Sequence, residues 1–521
     1  MSSRVFVCLV AVLAFAAVPA IAGNPNEAMG FPTDSVMIGG PGGDSISAYN
    51  GSLELGIPIG PTWKLPGMSW GLTLHYSSKV WRVQEGTSND GTLARRGPFG
   101  VGWVMTMGRV FTPCREGCPP TNEMAYEDSS GTLHPFKLDP TSQTGSIIPG
   151  KTTDGTFMRV EQILEDPNSS NVLEYRIHPG NGLVLIFASQ FGDFHSGGNW
   201  QSQDFYGFLL SRMEKHGPDP NVIESWVEVD YETTAALGHC IREIRDGVGS
   251  GTTVLRTVTF SNLSEHARVA GGTTAYDGGY TESITVPAVN GQTATTATYT
   301  FIYENLRDIE WDPQDPTGFG THTDQLLLSR IELPSDSAWN GDYAYNFDYD
   351  SDKGEMTSRT LLTGAQIGYK YQTRSYNPTP VTPSVYLRDV VEKCLGDCNT
   401  SGALKWTYFR DQGNTSGPTR TMVTDPFGNQ SLFSFFDSYE SSGSPWLYGR
   451  TERIDHYTGS PLGASGTWIA PGGQNFDTTT TTYEYENVGT TLDPDIRTVE
   501  VSSNYPKAVT VRHSNPLPNG F

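Results

Sequence analysis

Cysteine is scarce in this chain, positive charge is scarcer than negative, and beyond the first two dozen residues no long apolar run occurs. Lys and Arg number 34 against 57 Asp and Glu, a net charge of −23 in 521 residues. That balance excludes a nucleic-acid binder, whose affinity rests on cations neutralising phosphates, and it argues against an anionic membrane surface. No segment after the amino terminus approaches the ~18 apolar residues of a membrane-spanning helix. No G-x-S-x-G occurs, and His75, His134, His178, His195, His216 and His239 stand singly, so no hydrolytic triad is declared. Phosphate-cradling glycine loops are missing as well, because the many glycines sit in turn contexts. No long segment carries a clean period of 3.6, which removes helices as the main element.

The amino terminus is the exception to the missing apolar runs. Arg4 precedes an apolar stretch from Val5 to Val18, and Ala20, Ile21 and Ala22 then stand before Gly23. That is the form of a secretory signal with an A-x-A cleavage site. Residues 1–22 are expected to be removed, with no Cys at the cleavage point to take a lipid anchor. The mature chain is then exported, to the periplasm, the cell surface or the medium, with no membrane span.

Once Cys8 leaves with the signal, Cys114, Cys118, Cys240, Cys394 and Cys398 remain. The pairs in "CREGC" and "CLGDC" could supply four thiolates to a structural zinc. They could equally close two small disulfide loops, the reading that an oxidising destination favours. Cys240 is the odd thiol, expected to be a buried small hydrophobe.

What the sequence has in quantity is glycine, proline and aromatic residues: 58 Gly, 34 Pro and 11% Phe, Trp and Tyr, with only 17% charged. Gly and Pro punctuate, while Tyr, Phe, Trp and Thr suit a pleated surface, so an all-β fold of short antiparallel strands is expected. The stretch "VTDPFGNQSLFSF" places a turn signal before a strand-like alternation. Its frame Val423-x-Asp425-x-x-Gly428 recurs as Ile244-x-Asp246-x-x-Gly249. Gly428 is followed five residues on by Phe433, Gly182 by Phe187 and Gly131 by Phe136. "LLSRMEKHGPDPNVIESWVEVDYE" and "LLSRIELPSDSAWNGDYAYNFDYD" share Leu-Leu-Ser-Arg-apolar-Glu, and Tyr231 follows Arg212 at the distance that separates Tyr349 from Arg330. Asp and Gly suit a turn, and Phe433 and Phe435 share one face at period two. A hairpin of this kind cannot bury its apolar face alone, so copies must stack or join one sheet.

These residues carry a resemblance. The apolar-x-Asp-x-x-Gly turns, the aromatic alternation and the ending "FDYD" at Phe347 to Asp350 resemble the RHS or YD-repeat family of large secreted bacterial proteins. "YNGSLELGIPI", "GLTLHYSS", "GPFGVGWVMTMGRV" and "YEDSSGTLHPF" resemble, in that order, the segment leading into RHS repeats. The likeness covers roughly residues 45–440. It implies a long β-sheet coiled into a hollow shell around a carboxy-terminal polypeptide, with the amino-terminal region helping to close one end. The expected plan is an amino-terminal β domain over 23–140, degenerate hairpin repeats over 141–440 interrupted by insertions, and further repeats or a tail over 441–521. That tail leads toward a missing carboxy-terminal part, since the family's core segment and toxin or effector module have no counterpart before Phe521.

Function then reads as a noncatalytic exported scaffold, at the cell surface or forming part of a shell. Its partner would be a carboxy-terminal or separately encoded effector, or a cell-surface component. The alternative is a secreted carbohydrate-binding or carbohydrate-active β-sandwich, with Trp63, Trp70, Trp81 and Trp103 as sugar platforms beside paired carboxylates; tryptophans at strand spacing more often form core. Asp348, Asp350 and Asp352 have calcium-loop spacing, although Lys353 stands where Gly is needed and Arg359 where a bidentate Glu is needed. No cofactor is expected otherwise. His75 is expected on the solvent face, opposite Leu72, Leu74 and Tyr76.

Overall fold

The computed structural model of the chain describes residues 37–513, apart from short stretches and the longer segments 112–122, 192–206, 264–279, 311–320, 436–450 and 458–477. The described part is antiparallel β throughout, with one short 3-10 turn at Pro140–Ser142.

Five strands form a small amino-terminal sheet in the order Met37–Gly39, Asp44–Ser47, Leu53–Leu65, Met68–Ser77 and Trp103–Val104. Its central strand shows why: Leu55, Ile57, Ile59, Trp63 and Leu65 are buried, while Gly56, Pro58 and Lys64 between them are exposed. That is the period-two pattern of a strand with one apolar face. The turn after Leu65 is Pro66-Gly67, with proline preset for its position and glycine at φ 71°.

All remaining principal strands belong to one 24-stranded sheet running from Arg109–Phe111 to Val499–His513. Each strand bonds to the next in sequence except at Thr296–Tyr303, which pairs with Leu328–Glu332. The skipped strands, Arg307–Glu310 and Thr321–Gln325, form a ribbon of their own. At the other end the sheet closes on itself. Arg109–Phe111 pairs not only with Glu123–Glu127 but with the beginning of Gly207–His216, through Arg109 opposite Leu209 and Phe111 opposite Gly207. The far half of that strand, Arg212 to His216, pairs instead with Ile223–Tyr231. Gly207–His216 is therefore a fork: one half seals a barrel and the other starts an open sheet. The barrel is filled by Val110, Phe136, Val160, Ile177, Phe187 and Leu210, none more than 1% exposed.

Arg109–Phe111, Glu123–Glu127 and Leu133–Leu138 pair into the long sheet. His75 is buried, not solvent-facing; the backbone after Glu127 covers it, with Nε2 3.1 Å from the Ser129 carbonyl.

Candidate functional site

The repeat residues come first, because they set the sheet against which the rest is built. Asp425 holds its turn: Oδ1 accepts from the Phe427 and Asn429 backbone N–H groups, both at 2.8 Å, and Gly428 takes φ 86°. Phe433 and Phe435 point inward, 5% and 4% exposed. Phe187 and Phe136, at the same offset from their glycines, are also buried. Gly131 lies outside the described residues.

The second copy of the frame departs from this. Asp246 does not hold a turn. It sits fully buried in the strand Ile241–Val248, accepting from the Trp70 indole at 2.8 Å and paired with Arg256 at 2.8 Å, while Gly249 carries the turn at φ 71°. Pro426 ends the strand after Asp425, whereas Gly247 after Asp246 lets the strand continue through a bulge.

Tyr231 and Tyr349 repeat one bond. Each hydroxyl donates to a carbonyl 21 residues upstream, Leu210 at 3.0 Å and Leu328 at 2.6 Å, which is the second Leu of each Leu-Leu-Ser-Arg. In both copies the Arg turns onto the Glu two residues on, Arg212 to Glu214 at 2.7 Å and Arg330 to Glu332 at 3.0 Å. The tyrosine thus ties neighbouring strands through the buried side, and burial pushes both phenols upward from the ordinary value.

Against the inward face of this sheet sits the amino-terminal domain, and the seam between them is the most elaborate polar construction among the described residues. Its ties follow chain order along the long sheet. Ser225 Oγ donates to the Pro66 carbonyl at 2.7 Å, and Trp70 reaches Asp246. The Thr281 N–H and the Tyr303 hydroxyl both donate to the Pro98 carbonyl, at 2.7 and 3.1 Å. The Trp103 indole donates to Tyr349 at 2.7 Å, the Trp81 indole to the Lys353 carbonyl at 3.0 Å, and the Met356 N–H to Tyr76 at 2.7 Å. Aromatic pairs follow the same order: Phe99 on Phe301, Trp103 on Phe347, and Tyr49 on Phe435, with centroids 4.9 to 5.2 Å apart. Close approach requires Gly100, at φ 90°, where a Cβ would meet the Leu326 carbonyl oxygen at 2.7 Å.

The far end of the seam is ionic. Asp44, fully buried, accepts from Lys393 and Tyr369 and lies 3.5 Å from Arg359. Lys79 Nζ is 3.1 Å from Asp389 Oδ1 and donates to the Arg388 carbonyl at 2.8 Å. Arg374 approaches the other Asp389 oxygen at 3.5 Å. Arg388 clasps Glu355 at 2.6 Å. Arg410 donates to the carbonyls of Ser47 and Val390 at 2.9 and 2.8 Å. Charges so deeply placed cost several kcal/mol each in lost hydration unless well partnered, and here each meets several groups. Burial lowers the Lys79 and Lys393 ammonium values, with their aspartates pulling the other way, and it lifts the Glu355 carboxyl to about 7. Largely buried, this network ties the amino-terminal domain to the long sheet.

The other candidates fall into place around it. Asp348 Oδ2 accepts from the Ser358 hydroxyl at 2.5 Å, and Asp350 Oδ1 from the backbone N–H groups of Asp352 and Lys353 at 3.0 and 2.8 Å. Those oxygens serve the hairpin, and the three aspartates do not gather within 4.8 Å of one another among the described residues. Cys394 and Cys398 form a disulfide. With Glu392 they are the one grouping of His, Cys, Asp and Glu that meets within 4.8 Å among the described residues, but their sulfurs are bonded to each other and not available as thiolates. Cys114 and Cys118 lie outside the described residues. Cys240 is buried. The four tryptophans are buried, between 0% and 6% exposed.

Asp44, Lys79, Glu355, Asp389, Lys393 and Arg410 were not singled out from sequence, and Arg359 only as a departure from calcium-loop spacing. One signal existed: Arg410 shares strand parity with buried Tyr408, which places a charge on an apolar face.

No protein-family model and no curated protein matches the chain. Among solved structures, the N-terminal domain of effector protein SpvB from Salmonella typhimurium strain LT2 is 13% identical, with 64% of this chain set against 97% of that one and a TM-score of 0.22. TcdB2-TccC3 without its hypervariable C-terminal region is 9% identical, with 88% of this chain set against 37% of that one and a TM-score of 0.32. TcdB2-TccC3 itself is 10% identical at a TM-score of 0.31, and this chain spans 27% of its length.

Proposed function

We propose that the chain is a noncatalytic exported scaffold of the RHS type, whose repeat sheet forms part of a shell for an effector or toxin polypeptide. The observation that carries this reading is the seam: strands spread along the long sheet from Ile223–Tyr231 to Arg420–Thr424 all meet one amino-terminal domain. A sheet held at so many points along its length is bent around what it holds. The charged groups of the seam are consumed in binding one another. The sugar-platform alternative loses support because Trp63, Trp70 and Trp81 pack inside the seam and its adjoining core.

The test is co-expression of the full chain with the polypeptide encoded immediately downstream of it, followed by protease digestion. A stable complex in which the downstream product resists cleavage supports the scaffold. Failure to associate, together with clear retention of the chain on insoluble polysaccharide, overturns it.

A further inference from the structure

The Lys79–Asp389 contact differs from an ordinary ion pair. The Lys79 side chain is 9% exposed and that of Asp389 0%, and 310 residues separate them. Lys79 lies just beyond the amino-terminal strand Met68–Ser77, and Asp389 lies in the strand Val385–Leu395 of the long sheet. Glu355, also buried, is linked to Lys79 through Arg388, whose guanidinium holds the carboxylate at 2.6 Å and whose carbonyl accepts from Lys79 at 2.8 Å. Arg374 Nε is a buried donor with no hydrogen-bond acceptor, 3.5 Å from Asp389 Oδ2. The charged groups facing the pair are Arg388 from the same strand as Asp389, Arg374 from the neighbouring strand Gln366–Tyr376, Asp350 and Glu355 from the turn before Met356–Thr360, and Arg410.

We propose that Lys79 Nζ and Asp389 Cγ become joined by an intramolecular isopeptide bond, welding the amino-terminal domain to the long sheet. The ammonium of Lys79 gives a proton, through the Glu355 carboxylate, to Asp389 Oδ1, and the freed lone pair attacks Cγ of the now neutral acid. The tetrahedral carbon's oxyanion develops at Oδ2, within reach of Arg374. Glu355 then carries the second nitrogen proton to Oδ1, and the Cγ–Oδ1 bond breaks to release water. Ammonium and carboxylate become one amide and one water, with no oxidant or reductant. Burial favours each step. It lowers the lysine value and raises the glutamic one, so moving a proton from one to the other costs less than it would in water. Fixed placement replaces a bimolecular encounter, exclusion of water opposes the reverse hydrolysis, and the amide removes two charges from a dry site. Lys393 and Asp44 also touch, but the Tyr369 hydroxyl and Arg359 already engage that carboxylate. The inference does not depend on whether the sheet encloses a partner.

The purified full chain, its amino terminus determined by sequencing, is denatured and weighed by mass spectrometry with the disulfide intact and again reduced. The expected mass is lighter than the sequence by one water, and tryptic digestion yields one branched peptide containing Lys79 and Asp389 with no cleavage after Lys79. Lys79→Arg and Asp389→Ala should each restore the full sequence mass, and Glu355→Gln should leave most of the chain unlinked while circular dichroism retains the β signal. A wild-type mass with no water missing overturns the proposal, whatever the variants do. A water loss mapped to any other pair, including Lys393 and Asp44, overturns it equally, and full linkage in Glu355→Gln overturns the role of Glu355.

Discussion

Trp103 and Tyr349, 246 residues apart, meet at 2.7 Å through the indole N–H and the phenol oxygen, and the same phenol then donates to the Leu328 carbonyl at 2.6 Å. Tyr231 has only the second of these bonds, to Leu210. The repeat therefore supplies a strand-to-strand tie, and the amino-terminal domain has adopted one copy as its anchor.

A difference in stability follows between equivalent tyrosines. Tyr231→Phe should cost about 1 kcal/mol, the net worth of one hydrogen bond. Tyr349→Phe also leaves a buried indole N–H unpaired, which adds roughly 1–3 kcal/mol. Urea unfolding of both variants checks this, and equal losses would show that the Trp103 contact adds nothing.

Asp44 is the shared anion for Lys393, Arg359 and Tyr369. Asp44→Ala leaves two buried cations without it, an imbalance worth about 3–5 kcal/mol. A far smaller shift in the urea midpoint would mean that water or another group satisfies them.

Glu355 makes stability depend on pH. Burial raises its carboxyl to about 7, with Arg388 offsetting part of the effect. The folded form thus holds the proton more tightly than the unfolded chain, so this contribution is fully present below the ordinary carboxyl value and is lost as pH rises through about 7. Melting temperature should fall between about pH 5 and about pH 8 from this group, and Glu355→Gln should flatten that part of the profile. An unchanged slope in the variant rejects the assignment.

Two glycines with positive φ should respond unequally to Ala. Gly428 has open space around it, so Gly428→Ala costs only the left-handed strain of about 1–2 kcal/mol. Gly428→Val should likewise lower the melting temperature. Gly100→Ala carries the same strain and a clash with the Leu326 carbonyl, and should lower the melting temperature further.

Much of the fold was legible because turn and strand chemistry are local. Asp425, Gly428 and Phe433 declare a hairpin within nine residues, and the Leu-Leu-Ser-Arg copies declare a repeated unit. Asp246 misled because the identity of the next residue, Gly247 or Pro426, decides whether a strand ends. His75 misled because alternation locates two faces but cannot say that both are covered. The ionic end of the seam was illegible for another reason. Lys79 and Asp389 come from strands hundreds of residues apart, and no local pattern joins them. Gly100 was visible within "GPFGVGW", but its reason, a carbonyl from Leu326, was not.

The seam also orders events in time. The amino-terminal domain is synthesised first, yet the Ala48 carbonyl waits for the Thr421 hydroxyl, 373 residues later, and Asp44 for Lys393, 349 residues later. Local hairpins can form as they emerge, but contacts of such span close late and slowly. Translation must therefore pass residue 421 before the inner face of the sheet is covered. Until then the first domain waits with buried-type charges in water, and the strands to come are the lid that finishes it.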